Sequence, residues 1–121
     1  MSLIANIVIG LVALLHVYFL VLEMFLWDKP AGLRAFGQTI EAARASKVLA
    51  ANQGLYNGFL AAGLVWSLVA GPELAMPVRL FFLGCVLVAG LYGAATVGRQ
   101  ILFAQAIPAA IGLAVTWLAR G

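Results

Sequence analysis

The sequence predicts an all-α membrane protein: a four-transmembrane-helix bundle with a short interfacial amphipathic segment between helices 1 and 2. Three observations carry that prediction. The first is composition. Of 121 residues, 65% are hydrophobic and 9% charged, and the mean hydropathy is +1.11. An ordinary globular domain is about half apolar and roughly a quarter charged, so seven basic and four acidic side chains are too few to coat a 12.7 kDa globule. The second is the placement of uncharged runs at residues 2–22, 48–72, 80–98 and 100–119, where a helix crossing the hydrocarbon core needs ~20 mainly apolar residues. The third is continuity. Leu80–Gly90 reads LFFLGCVLVAG, whereas a barrel strand alternates apolar and polar positions. Backbone groups in lipid must be paired within the segment, which leaves helices.

The elements follow in order along a single integral membrane domain, 1–121. Span 1 is expected over 3–27. Glu23 is its first charged side chain, so it lacks the basic start of a cleavable signal peptide, and its apolar run exceeds the ~7–15 residues of such a segment. Residues 28–47, DKPAGLRAFGQTIEAARASK, hold six of the eleven charges. Lys29-Pro30-Ala31-Gly32 is turn chemistry. Beyond it Leu33, Phe36, Ile40 and Ala43 recur at helical spacing, with Arg34, Gln38, Glu41 and Arg44 around the rest of the wheel. That pattern fits an amphipathic helix lying at the interface, and it equally fits an N-terminal extension of span 2. Span 2 is expected over 48–70, with Gly71-Pro72 and Pro77 breaking the chain before span 3 over 77–98. Span 4, over 100–118, follows almost without a loop, and Pro108 is expected to kink it. Cys85, the single cysteine, reads as a small buried hydrophobe in mid-span.

Basic residues report orientation in a membrane protein. Lys29, Arg34, Arg44, Lys47 and Arg99 share one side of a four-span threading; Arg79 and Arg120 share the other. Five against two places the 28–47 loop in the cytoplasm and both termini outside. Small residues recur every four positions, as Gly54, Gly58, Ala62 and as Gly90, Ala94, Gly98. Such rows let helices approach closely. They are expected as seams within the bundle, and the Gly54/Gly58 and Gly90/Ala94/Gly98 faces also suit a homo-oligomer contact.

Polar residues inside apolar runs are costly in hydrocarbon and mark functional candidates. His16 and Glu23 are seven positions apart, only about 20° off two full turns, so they share one stripe with Trp27 below and lie about 10 Å apart in rise. Asn52, Gln53, Tyr56 and Asn57 open span 2. Tyr92, Thr96 and Arg99 end span 3, and Gln100 and Gln105 begin span 4. The opposite halves of the spans hold little beyond Asn6, Ser67 and Thr116. Polar groups from four helices thus collect in one leaflet, where they are expected to form a pocket near the cytoplasmic face. Glu23 and His16 are the catalytic candidates, because a desolvated carboxyl and an imidazole exchange protons with a substrate. Trp27, Asn52, Gln53, Tyr56, Asn57, Tyr92, Arg99 and Gln105 are the ligand-binding candidates. The simpler alternatives are interhelical glue for the amides and an aromatic belt for Trp27, Tyr56 and Tyr92. One His and one Glu 10 Å apart do not make a metal site, and no cofactor or nucleic-acid partner is expected.

The segments HVYFLVLEMFLW (His16–Trp27) and NQGLYNGFLAAG (Asn52–Gly63) carry a resemblance. The chain resembles, over essentially its whole length, a family of short bacterial four-span membrane proteins catalogued as a domain of unknown function. The resemblance implies four helices and a bacterial inner-membrane location, and no activity. From the residues themselves the first functional reading is a pocket for a lipid-like or small amphipathic molecule, extending to proton-transfer chemistry of the kind catalysed by the emopamil-binding isomerases, which are similar in using intramembrane His, Glu, Asn and Trp. The second is a proton-coupled exporter using Glu23, similar to the small multidrug-resistance proteins. The third is a structural or accessory subunit.

Overall fold

Proline, glycine and the capping hydroxyls decide where the helices of this chain begin and end. The computed structural model describes residues 2–120, and every regular element among them is helical. Helix α1 is Leu3–Met24, α2 Pro30–Phe36, α3 Ile40–Ala45, α4 Lys47–Val69 and α5 Pro72–Thr96. A π-helical turn, Leu102–Ala106, then leads into α6, Ile107–Leu118.

Several boundaries differ from those expected. Helix α1 ends at Met24 instead of continuing to Trp27. Pro30 ahead lacks an N–H and disfavours helical geometry in the residue before it, and residues 25–29 fold into a turn closed by Lys29 N–H donating to the Leu26 carbonyl at 3.0 Å. Trp27 therefore leaves the stripe of His16 and Glu23. The expected amphipathic helix is two short helices. Gly37, at φ +59°, adopts the left-handed conformation that stops α2, and the Thr39 hydroxyl accepts from Ala42 N–H at 3.2 Å to start α3. Leu33 and Phe36 are thereby separated from Ile40 and Ala43.

Helix α5 starts at Pro72, five residues earlier than Pro77. A proline suits the first helical position, where its missing N–H costs nothing. Pro77 removes a single bond near the same end, and the helix runs through it. Pro108 acts on the turn before it. With no N–H to offer the Ala104 carbonyl, the preceding backbone widens, and Ile107 N–H reaches the Leu102 carbonyl five residues back.

Two helices, α1 and α5, are long and apolar enough to cross a membrane by length and composition. Helix α4 has 23 residues but carries Asn52, Gln53 and Asn57 in its first half. The apolar stretch Leu102–Leu118 is shorter.

The chain divides into two compact units, one of the residues up to Leu14 with those from Leu60 onward, the other of Leu15–Phe59. The first has an aliphatic core of Ile9, Val12, Ala13, Leu64, Leu83, Val86 and Ala109. Its helices α5 and α6 are antiparallel, and at Gly90 the π turn before α6 packs closely on α5. A Cβ at Gly90 would lie 2.5 Å from the Ala106 nitrogen, so only glycine admits that approach. In the second unit the row of small residues in α4 faces α1: Gly54 lies against Met24 and Glu23, and Gly58 against Leu20. Farther along α4 the buried position is Ala61, with Ala62 exposed.

Candidate functional site

The lower half of α1 turns one stripe inward and the opposite face outward. His16, Leu22 and Glu23 are buried, while Val17, Tyr18, Val21 and Phe25 are exposed. The His16 ring meets Phe19 edge-on, with centroids 5.6 Å apart. Glu23 is 2% exposed and both its carboxyl oxygens accept from α4. Gln53 Nε2–H donates to Oε2 at 2.6 Å and Asn57 Nδ2–H donates to Oε1 at 2.5 Å. Residues four apart share a helix face, so the two amides form a fork. Their reach is short, and the missing side chains of Gly54 and Gly58 let the helices come close enough for it to suffice. An amide that holds one carboxyl oxygen retains its own carbonyl and a second N–H, so the fork still has groups to offer another molecule.

The other sequence candidates each have surroundings of their own. Asn52 donates back to the Val48 carbonyl of its own helix at 2.9 Å. Tyr56 is 59% exposed, its ring beside Phe59. Trp27 is half-buried and donates from Nε1 to the Ser46 hydroxyl at 3.1 Å, with the Phe36 ring 4.8 Å away. Tyr92, 72% exposed, Arg99, exposed, and Gln105, half-buried, belong to the other unit. Of the ten candidates, then, the structure joins Glu23, Gln53 and Asn57 by hydrogen bonds. In the same unit, the Lys47 ammonium donates to Asp28 Oδ2 at 3.1 Å, which holds the Asp28 carboxyl below the usual carboxylate range. Among the described residues no three His, Cys, Asp or Glu side chains cluster as a metal site.

A shallow groove runs along α5, lined by Leu80, Phe81, Gly84, Cys85, Val88 and Tyr92. It carries no charged group.

Two residues of consequence went unnoticed in the sequence. Ser46 anchors Trp27, and its signal was only a hydroxyl between two helical patterns. With Pro77 as the start of its helix, the sequence sets Arg79 among the loop charges. With α5 beginning at Pro72, Arg79 lies two turns inside, 3% exposed, and donates from Nε to the Ser67 carbonyl at 3.4 Å.

Residues 10–117 match the model of a family described as "Protein of unknown function (DUF1304)". The chain belongs to this family. A relative described as "Uncharacterized protein YpaA", from Lactococcus lactis subsp. lactis (strain IL1403), is 35% identical over 97 residues, covering 78% of this chain and 81% of that protein. The matched family region includes His16, the Glu23–Gln53–Asn57 triad and Arg79. No solved structure matches the chain.

Proposed function

We propose that this member of the family is a four-span membrane protein that binds a small amphipathic or lipid-like molecule at Glu23. The observation that carries the reading is a buried carboxyl held by two amides inside helices whose outward faces are apolar. Leu3, Ile4, Ile7, Leu11 and Leu14 on α1, and Phe81 and Val88 on α5, are all exposed, an arrangement that suits lipid and not water. Carboxyls within such helices are costly and face functional sites. Helix α4 and residues 102–118 complete the four crossings, α4 because Gln53 and Asn57 bond to Glu23 on α1 and its second half is mainly apolar. Burial of Arg79 removes it from the loop charges, so the basic side is Lys29, Arg34, Arg44, Lys47 and Arg99, all exposed, against Arg120. That balance favours a cytoplasmic 28–47 segment and sets the Glu23 site in the cytoplasmic leaflet.

In this reading Glu23 receives the donor or cationic head of the ligand while Gln53 and Asn57 orient the carboxyl. The test compares the full chain with Glu23→Gln, which keeps the side-chain shape. Binding of a fluorescent quaternary-ammonium amphiphile to protein in neutral micelles is expected to weaken at least about tenfold, the equivalent of one charge-assisted contact, with no drug resistance on expression in a sensitive host. Equal binding by both proteins refutes the site. Resistance conferred by wild type and lost in Glu23→Gln refutes a binding pocket in favour of an exporter.

A further inference from the structure

A second polar group lies in the other unit, built entirely from that unit's own residues and independent of the Glu23 reading. A Cβ on Gly112 would lie 3.0 Å from Leu83 and 3.6 Å from Val8, which sets these three positions of α6, α5 and α1 at one level. Because α5 and α6 are antiparallel, Arg79 and Thr116 each lie one turn from that level toward the same end. The Arg79 Nε–H bond to the Ser67 carbonyl adds α4 to this layer. Ser67, Thr116 and Arg79 are all buried.

Part of this layer's hydrogen-bonding capacity is unused. Arg79 Nη1 and Thr116 Oγ1 are buried without a partner, while the Ser67 hydroxyl is already committed to the Leu64 carbonyl. The guanidinium is a permanent charge, and no carboxylate among the described residues pairs with it: the ion pair present is Lys47–Asp28. The acidic residue of this unit, Glu73, lies in the exposed first turn of α5. An unpaired charge removed from water is strongly unfavourable, so the guanidinium calls for an anionic partner.

We propose that Arg79, with Thr116, binds the oxyanion of a phosphate group. A guanidinium matches two phosphate oxygens with a planar pair of donors, and the Thr116 hydroxyl supplies another. Arg79 lies seven residues into α5, about 10 Å along the helix from Pro72. In a membrane-spanning α5 that depth is within reach of a phospholipid headgroup for a long arginine side chain directed to the interface. A lipid phosphodiester and free inorganic phosphate offer the same chemistry, and the experiment separates them.

The full chain, purified and delipidated in a neutral sugar detergent, is titrated with short-chain phosphatidylglycerol, with inorganic phosphate, and with sodium chloride at matched ionic strength. Unfolding is followed by tryptophan fluorescence. Wild type is expected to gain a saturable rise in Tm of roughly 3 °C or more that chloride does not reproduce and Arg79→Met abolishes. A response to phosphatidylglycerol alone assigns a lipid headgroup; a response to phosphate as well assigns a free anion site. No saturable rise in wild type, or an equal rise in Arg79→Met, overturns the proposal. Should Arg79→Met fail to fold, the wild-type titration still decides, supported by counting phospholipid retained on wild type and Arg79→Lys in native mass spectrometry. Glu23→Gln is expected to respond like wild type, which keeps this site distinct from the first.

Discussion

Replacing Asn57 by leucine tests whether the Glu23 fork is a coupled unit or two incidental contacts. The substitution keeps the branched shape of the side chain and deletes the donor 2.5 Å from Glu23 Oε1, leaving Gln53 on Oε2. An interhelical hydrogen bond in a membrane protein contributes about 0.6 kcal/mol on average. Here the stranded partner is a carboxyl oxygen on a residue 2% exposed, and leaving a buried acceptor unsatisfied costs about 1–3 kcal/mol. The second effect should win, so Asn57→Leu is expected to destabilise by about 1–3 kcal/mol. Glu23→Leu should also destabilise, because it strands the Asn57 amide; Gln53, at an exposed position, can turn away. The double variant Glu23→Leu/Asn57→Leu has neither group to strand. It should therefore be more stable than the sum of the singles by about 1–2 kcal/mol. Equilibrium unfolding with sodium dodecyl sulfate in mixed micelles, read by tryptophan fluorescence, measures all four corners of the cycle. Additivity within about 0.5 kcal/mol would show that the amides do not hold the carboxyl, and the site would lose its framework.

Other substitutions probe the scaffold. Gly90→Ala places a methyl 2.5 Å from the Ala106 nitrogen and 2.8 Å from its Cα; backbone cannot swing aside, so α5 and the π turn must separate, and a loss of about 1–3 kcal/mol is expected in the same unfolding assay. Gly37→Ala meets no atom within 4 Å, so its expected loss of about 1 kcal/mol is the conformational cost of φ +59° alone; Gly37→Asn should cost less, since asparagine tolerates that region. The Asp28 carboxyl, lowered by its bond from Lys47, should titrate in NMR below the usual carboxylate range and return toward it in Lys47→Ala. A lowered folded-state pKa contributes stability above the ordinary carboxylate pKa and loses it as pH falls through the folded value. The pair is solvent-exposed and should weaken in high salt.

Much of the site was legible one residue at a time. An acidic side chain in an apolar run is conspicuous, and so are three amides at the start of another, which is why Glu23, Gln53 and Asn57 could be singled out. Their pairing was not legible. Gln53 and Asn57 share a face, but Asn52 bonds its own backbone, and which of the three meets Glu23 depends on the rotation of α4 against α1. Trp27 shows the same limit from the other side: a helical wheel continued through Met24 puts it below Glu23, yet the turn at residues 25–29 carries it to Ser46. Arg79 was misread through a single boundary, because one proline too late in the chain moved a buried guanidinium to the surface.

What the sequence by itself determined is local: helices throughout, their uncharged runs, a chain break wherever Pro30, Gly37 or Pro72 interrupts the backbone, and a short list of polar groups with no water to satisfy them. These follow from hydrogen-bonding and steric rules that act over one turn of helix. Which of those groups find each other was decided by the tertiary structure. The Glu23 fork needs the glycines of α4 set against α1, the widened turn before Pro108 needs Gly90 across from Ala106, and the unpaired state of Arg79 follows from which side chains the neighbouring helices turn toward it. Such pairings depend on the rotation and depth of whole helices, which the burial of their apolar faces settles together.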